Sequence, residues 1–339
     1  MSIATTNRDP RLPAAVGPLS GAVLELIAGR PPRRNLMRID APVVNVDPYG
    51  LDLHLALHVC YELHYRGFAD VDARWEWDAG LLHLRATLEE VFEAALRRDV
   101  GEADETETAQ SVMDSLSVEP VDGEGLSYFL RDEGTWEQMR EYFVHRSIYH
   151  LKEGDPHAWL IPRLGGRAKA AFVAIEYDEF GAGRAERLHQ RLFADLLDGA
   201  GLDSGYLSYL DFVPAESLVV VNLMSMFGLH RASRGAAVGH FASTEITSPP
   251  GSYRLVQALE RMGAATSCIR FYAEHVEADA VHEQVVRTDV VADLVDGEPH
   301  LDRDVVFGIR ARDLVEDRLS AHMMKSWVSG HSSLRRTLV

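Results

Sequence analysis

Cysteine is nearly absent: Cys60 and Cys268 are the only two in 339 residues, and both fall inside apolar helical patterns rather than in a spaced framework. That count excludes zinc-finger, iron–sulfur and CxxC redox chemistry and fits a reduced compartment. Positive charge is also in short supply. With 34 lysines and arginines against 52 acidic residues the net charge is −18, which leaves no basic face to displace counterions from a nucleic acid. No uninterrupted apolar run approaches the eighteen or so residues of a membrane span, and nothing resembles a secretory signal. The expected protein is therefore cytoplasmic, with no nucleic-acid and no membrane partner. Also missing are an alternating strand series, a GxGxxG after a strand, a P-loop and any internal repeat. What is present is 46% hydrophobic residues set in long helical periods, which predicts an all-α chain with a sizeable core that acts on a small molecule.

Residues 1–48 are punctuated by Asp9-Pro10, Pro13, Pro18 and the run Gly29-Arg30-Pro31-Pro32-Arg33-Arg34, and read as an N-terminal arm with a short helix at Ala22–Ile27. Residues 49–120 read as an N-terminal helical region packed on the core, with helices over Leu51–Phe68 and Leu81–Arg98 and a solvated acidic loop at Gly101–Thr108. Residues 121–330 read as the main bundle. Its predicted helices are Leu126–Lys152, stopped by Gly154-Asp155-Pro156, then Arg167–Phe180 and Arg184–Leu197 on either side of Gly181-Ala182-Gly183, then Ser217–Leu229 and Arg231–Ser248. A break at Pro249-Pro250-Gly251 precedes helices over Ala264–Val291 and Asp304–Trp327, and the tail from Ser329 reads as loose.

The chemistry concentrates in Phe271–Val285, FYAEHVEADAVHEQV, where His275, Asp279 and His282 stand at offsets of four and seven. Those offsets return to one face of a helix. At about 1.5 Å per residue the two histidines lie roughly 10 Å apart with the aspartate between them, a span that suits two ions better than one. Apolar residues surround much of the same helix, so the stripe is expected to be buried, and a metal is one of the few partners that satisfies all three groups together. A rival stripe, His54, His58 and Glu62, alternates with Leu53, Leu55, Leu57 and Val59 and reads as structural, its polar groups bonded within the protein. A ferritin-like ligand scheme needs two Glu-x-x-His pairs. Glu186 and His189 form the only one in the chain, so that scheme fails.

The series Glu153, Glu179, His189, His275, Asp279 and His282 resembles the ligand set of the haem-oxygenase-like diiron oxidases and oxygenases, a group that includes the streptozotocin- and azomycin-pathway N-oxygenases. In that family one helix gives a glutamate, the next a glutamate and a histidine about ten residues later, and a distant helix H-x3-D-x2-H; Glu179 and His189 have that spacing here. Stretches such as LKEGDPHAWLIPRLGGRAKAAF, YDEFGAGRAERLH and FGLHRASRGAAVGH carry the same likeness to iron-containing redox enzymes, from about Leu51 to Val291. The resemblance implies a haem-oxygenase-like seven-helix bundle with extra N-terminal helices, two irons, no haem and a homodimer. It suggests a division of labour: His275 and Asp279 share one ion, His282 reaches the other beside His189 and Glu153, and Glu179 bridges. Glu176, one turn before Glu179, is the candidate catalytic carboxylate or a substitute for Glu179, and Glu186 is either a ligand or a surface partner of Arg187 or Arg191.

The activity implied is that of a non-haem diiron oxygenase with O2 as co-substrate: two Fe(II) ions, fed by an external electron donor, reduce O2 to a bridging peroxide that N-oxygenates a small amine or amino acid in specialised metabolism. The alternatives are C–H abstraction, giving desaturation or C–C cleavage of an amino or fatty acid, and an iron- or metabolite-binding scaffold without turnover. A true haem protein would leave six converging ligands as an unexplained burial cost. The substrate pocket is expected one or two turns before the metal stripe, at Phe172, Ile175 and Glu176, at Ser267 and Phe271, and at Tyr149 or His150; for Phe172 and Phe271 core packing is the favoured alternative.

Overall fold

A computed structural model describes residues 9–29, 46–102, 104, 106–118 and 123–338, without the side chains of residues 277–280. Much of the expected N-terminal arm, residues 1–8 and 30–45, lies outside that description. The chain is all-α, with no strand among the described residues. In order come α1 (Pro18–Ile27), α2 (Leu51–Glu62), α3 (Ala79–Val100), α4 (Ala109–Leu116), α5 (Leu126–Asp132), α6 (Trp136–His150), the single turn α7 (Asp155–Ala158) and α8 (Gly166–Glu179). They are followed by α9 (His189–Gly199), α10 (Ala215–Leu229), α11 (Arg234–Arg261), α12 (Thr266–Val285), α13 (Ala292–Gly297) and α14 (Asp302–Val328). None of the described helices is long and apolar enough to cross a membrane.

Local chemistry explains most boundaries. Asp78 Oδ1 accepts from the Leu81 amide (3.0 Å) to start α3, and Gly101, at φ +74°, ends it. Leu126–Lys152 is not one helix. The Glu133-Gly134-Thr135 turn divides it, and Thr135 opens α6 with a capping box, accepting from Gln138 N while the Gln138 side chain accepts from Thr135 N (2.8 Å). Asp52 of α2 caps α1 by accepting from Leu19 N and Ser20 N at 2.9 and 2.8 Å, and Leu19, Val23 and Ile27 are buried.

At the centre lies α10, apolar on every side and buried from Ser217 to Gly228, as a helix without a polar face must be. It packs against α2, α6, α11 and α14. Its Asn222 donates to the His54 carbonyl (2.8 Å) and meets the rings of His54 and His58 at 3.2 and 3.3 Å. Glu62 is held by Lys152 Nζ (2.9 Å) and Tyr206 OH (2.6 Å), so the α2 stripe is knitted into the core by protein partners.

Two departures from the predicted outline matter for the site. α11 runs straight through Pro249 and Pro250, where the sequence predicts a break. Each proline removes only its own N–H bond, to the carbonyls of Glu245 and Ile246, and the flanking packing of α12 and α14 along α11 holds the helix together across the gap. The tail from Ser329 is also ordered: the Ser333 hydroxyl donates to Glu141 Oε2 (2.6 Å) and meets His145 Nε2 (2.8 Å), while Arg335 N donates to the Phe212 carbonyl (2.8 Å).

Candidate metal centre

After α6 the chain turns at Gly154, whose φ of +84° lies in the left-handed region that only glycine adopts without strain. A Cβ there would stand 3.2 Å from the Phe180 ring. This turn directs Glu153 inward, where Glu153 Oε1 accepts from His150 Nδ1 (2.8 Å) and lies 3.5 Å from His275 Nε2. Glu176 and Glu179 come from the last turn of α8, His189 from the first residue of α9, Glu245 from α11, and His275 and His282 from α12. All of these side chains are buried.

All but Glu176 form two groups of three. Glu153, His189 and His275 each offer a ligand atom within 4.8 Å of the others, and so do Glu179, Glu245 and His282. His189 Nδ1 joins the groups, 2.9 Å from Glu179 Oε2 but outside hydrogen-bond alignment. The expected grouping is thus altered: His275, not His282, stands with His189 and Glu153. Asp279 lies on α12 between the two histidines, and its side chain is outside the described residues. Glu245 is an addition that the sequence reading did not include; in the sequence it stands in FASTEITS with no histidine, cysteine or second carboxylate three or four positions away, and its place is visible only once α11 and α12 are side by side.

The histidines are oriented from behind. His275 Nδ1 donates to the Phe271 carbonyl (2.8 Å), which turns Nε2 toward Glu153 and His189. His282 Nε2 donates to Asp178 (3.1 Å), turning Nδ1 toward Glu245 at 3.2 Å. Burial opposes charge on Glu153, but His150 and His275 outweigh it and hold the carboxyl well below the usual range. Glu176 goes the other way: burial first, then the charges of Glu179, Glu245 and Asp155, raise its carboxyl well above the ordinary value. Both Glu176 oxygens and Glu153 Oε2 are buried without a hydrogen-bond partner among the described residues. Buried orphans of this kind are costly in a protein interior, and carboxylate with imidazole is a donor set suited to iron. The residues of each group fit a metal ion.

A cavity of about 410 Å³ opens on both groups, lined by Glu153, Glu179, Glu245 and His275. Of the expected pocket residues, Tyr149 and Phe271 line it, as does His150. Burial, then the charges of Glu153, Glu179, Glu176 and Glu245, raise the Tyr149 phenol well above its ordinary range. Phe172 and Ile175 instead fill the core, Phe172 edge-on to Phe241 at 4.8 Å. Ser267 packs against Gly199 of α9, where a Cβ would collide with its Oγ. Glu176 sits beside the clusters, off the cavity wall, and Glu186 lies in a short turn before α9 and in neither cluster.

The family model for iron-containing redox enzymes matches residues 140–317, from within α6 to within α14, and so includes both groups. Among known proteins, nitrosourea synthase from Streptomyces achromogenes subsp. streptozoticus is 25% identical over 157 residues, 46% of this chain and 33% of that protein. The chain thus spans about a third of the length of the curated relative it matches.

Proposed function

The chain belongs to the iron-containing redox enzymes, of haem-oxygenase-like all-α fold, and from that premise we propose that it is a non-haem diiron oxygenase that N-oxygenates a small amine or amino acid. The observation that carries the reading is the pair of three-ligand groups, joined through His189 and Glu179 and opening on one cavity. The chemistry that two irons supply when bound is O2 binding and reduction, with electrons from an external donor.

The remaining work falls to the protein. Glu153, His189 and His275 would hold one iron, and Glu179, Glu245 and His282 the other, with Asp279 as a further ligand on the same helix face. The carboxylates balance the metal charge, and the backbone and Asp178 bonds behind His275 and His282 fix which ring nitrogen points inward. Glu176, whose carboxyl is pushed above its ordinary range by burial and then by Glu179, Glu245 and Asp155, would serve as the acid–base carboxylate beside the metals. Tyr149 and Phe271 wall the cavity on the metal side and limit water. The charged side chains elsewhere in the lining, among them Arg146, Arg312 and Glu316, suit a polar substrate and count against oxidation of a long fatty acid. A homodimer is part of the same reading.

The test is to load apoprotein with Fe(II) without oxygen, count irons per chain, then add isotopically labelled O2 with a panel of amines and amino acids and weigh the products. Two irons, and a product nitrogen carrying labelled oxygen, support the reading. One iron or none overturns it, as does stoichiometric O2 consumption with no altered substrate, which would leave a binding scaffold.

A further inference from the structure

The cavity has a second, charged wall that the metal groups do not use. Arg312 and Glu316 of α14 are four positions apart and share one face of that helix; both line the cavity, with Asp317 beside them and Arg146 and Arg254 nearby. These charges are not equally engaged. Arg146 and Glu316 satisfy one another through two parallel bonds of 2.8 and 2.7 Å, the fork geometry that makes such pairs strong. Arg254 donates Nε to Ser127 Oγ (2.9 Å) and lays its guanidinium over the Tyr128 ring at 4.1 Å. Arg312 makes one long bond, from Nη1 to Asp313 Oδ1 (3.3 Å), and that oxygen already accepts from Ser243 (3.0 Å). With five N–H donors on a guanidinium, most of Arg312's capacity is uncommitted among the described residues. Asp317, more exposed, has neither an ion pair nor a hydrogen bond there.

We propose that this wall recognises the head group of a free α-amino acid, Arg312 taking the carboxylate and Asp317 the ammonium, with the side chain directed toward the two metal groups. One cation and one anion that line the same cavity complement a zwitterion. The Arg146–Glu316 pair is neutral in sum and presents a polar surface that favours neither end alone. A simple amine offers Arg312 nothing to bind, and a fatty acid offers Asp317 nothing. The inference rests on the oxygenase reading for what happens to the side chain, but the recognition is tested by binding alone.

The experiment uses the full chain loaded with Fe(II) and kept free of oxygen. The common L-amino acids are titrated in by calorimetry, and any that binds is compared with its decarboxylated amine and its N-acetyl form. Both modified forms are expected to bind about ten-fold or more weakly, the scale of one lost charge-assisted bond. Arg312→Gln should weaken the parent amino acid by a similar factor and leave the decarboxylated amine unchanged, and Asp317→Asn should weaken the parent and not the N-acetyl form. Iron per chain should stay at the wild-type count in both variants. The proposal is overturned if no amino acid binds, if the amine binds as tightly as the amino acid, or if the variants weaken modified and parent forms alike. An amino acid that binds in this way yet gives no oxygenated product overturns the oxygenase reading and leaves the recognition intact. Oxygenation at a wild-type KM in both variants does the reverse.

Discussion

His150 donates to Glu153 at 2.8 Å, while its ring packs between Phe193 and Phe271 at 4.8 and 5.0 Å, so a histidine in neither ligand group aims a carboxylate that is in one. His150→Phe keeps the ring contacts and deletes the bond. Supporting bonds of this type are worth roughly 10–100-fold in metal affinity, and iron affinity measured by chelator competition should fall by that factor; an unchanged affinity would mean that His275 alone aims Glu153. Glu245→Ala should lower the iron bound per chain, whereas His54→Ala, which removes a ring bonded to the Pro48 carbonyl and Asn222, should leave the count unchanged. The contrast between Glu245 and the α12 histidines marks what could be read in advance. His275 and His282 declare themselves because helical periodicity alone puts them on one face. Glu245 meets His282 only through the packing of two helices, and no spacing in the chain encodes that distance.

At the scale of the element, α11 and α14 touch through glycine. A Cβ on Gly239 would collide with the Val305 carbonyl, and one on Gly308 with the Ala236 carbonyl, so each helix offers a backbone notch to the other. Gly239→Ala and Gly308→Ala should each destabilise by about 1–3 kcal/mol, the usual cost of forcing volume into a filled interface, read as a lower urea midpoint at an unchanged slope. Because Gly308 is one turn before Arg312, the second variant should also loosen the charged wall of the cavity. Most helices were legible from their apolar period, including the nearly continuous run from α12 through the widened turn at Val286–Val291. The errors came at punctuation. Gly134-Thr135 is a cap that an uninterrupted apolar pattern conceals, and Pro249-Pro250 is a stop signal that tertiary packing overrides.

For the molecule as a whole, the buried neutral histidines set an acid limit. Burial lowers His54 to about 4 and His145 to about 3, from an ordinary 6.5. An unfolded chain protonates both rings as the pH drops through 6.5, and the folded chain does so only near those lower values. Stability is therefore complete above that pH and declines below it, by roughly 1.4 kcal/mol per unit for each ring. The urea midpoint should be lower at pH 5 than at pH 7.5, and His54→Asn should flatten that dependence; equal slopes for the variant and the parent would rule out His54 as a contributor.

The two groups draw their six side chains from the α6–α7 turn, α8, α9, α11 and α12. The longest stretch between consecutive members runs from His189 to Glu245, and it contains α10, buried from Ser217 to Gly228, which supplies none of them. Metals seated in both groups would act on that stretch as cross-links do, closing a long loop at both of its ends and removing much of the freedom the chain gains when it opens. That buried helix would then be clamped from outside, and its release would have to wait for an ion to leave.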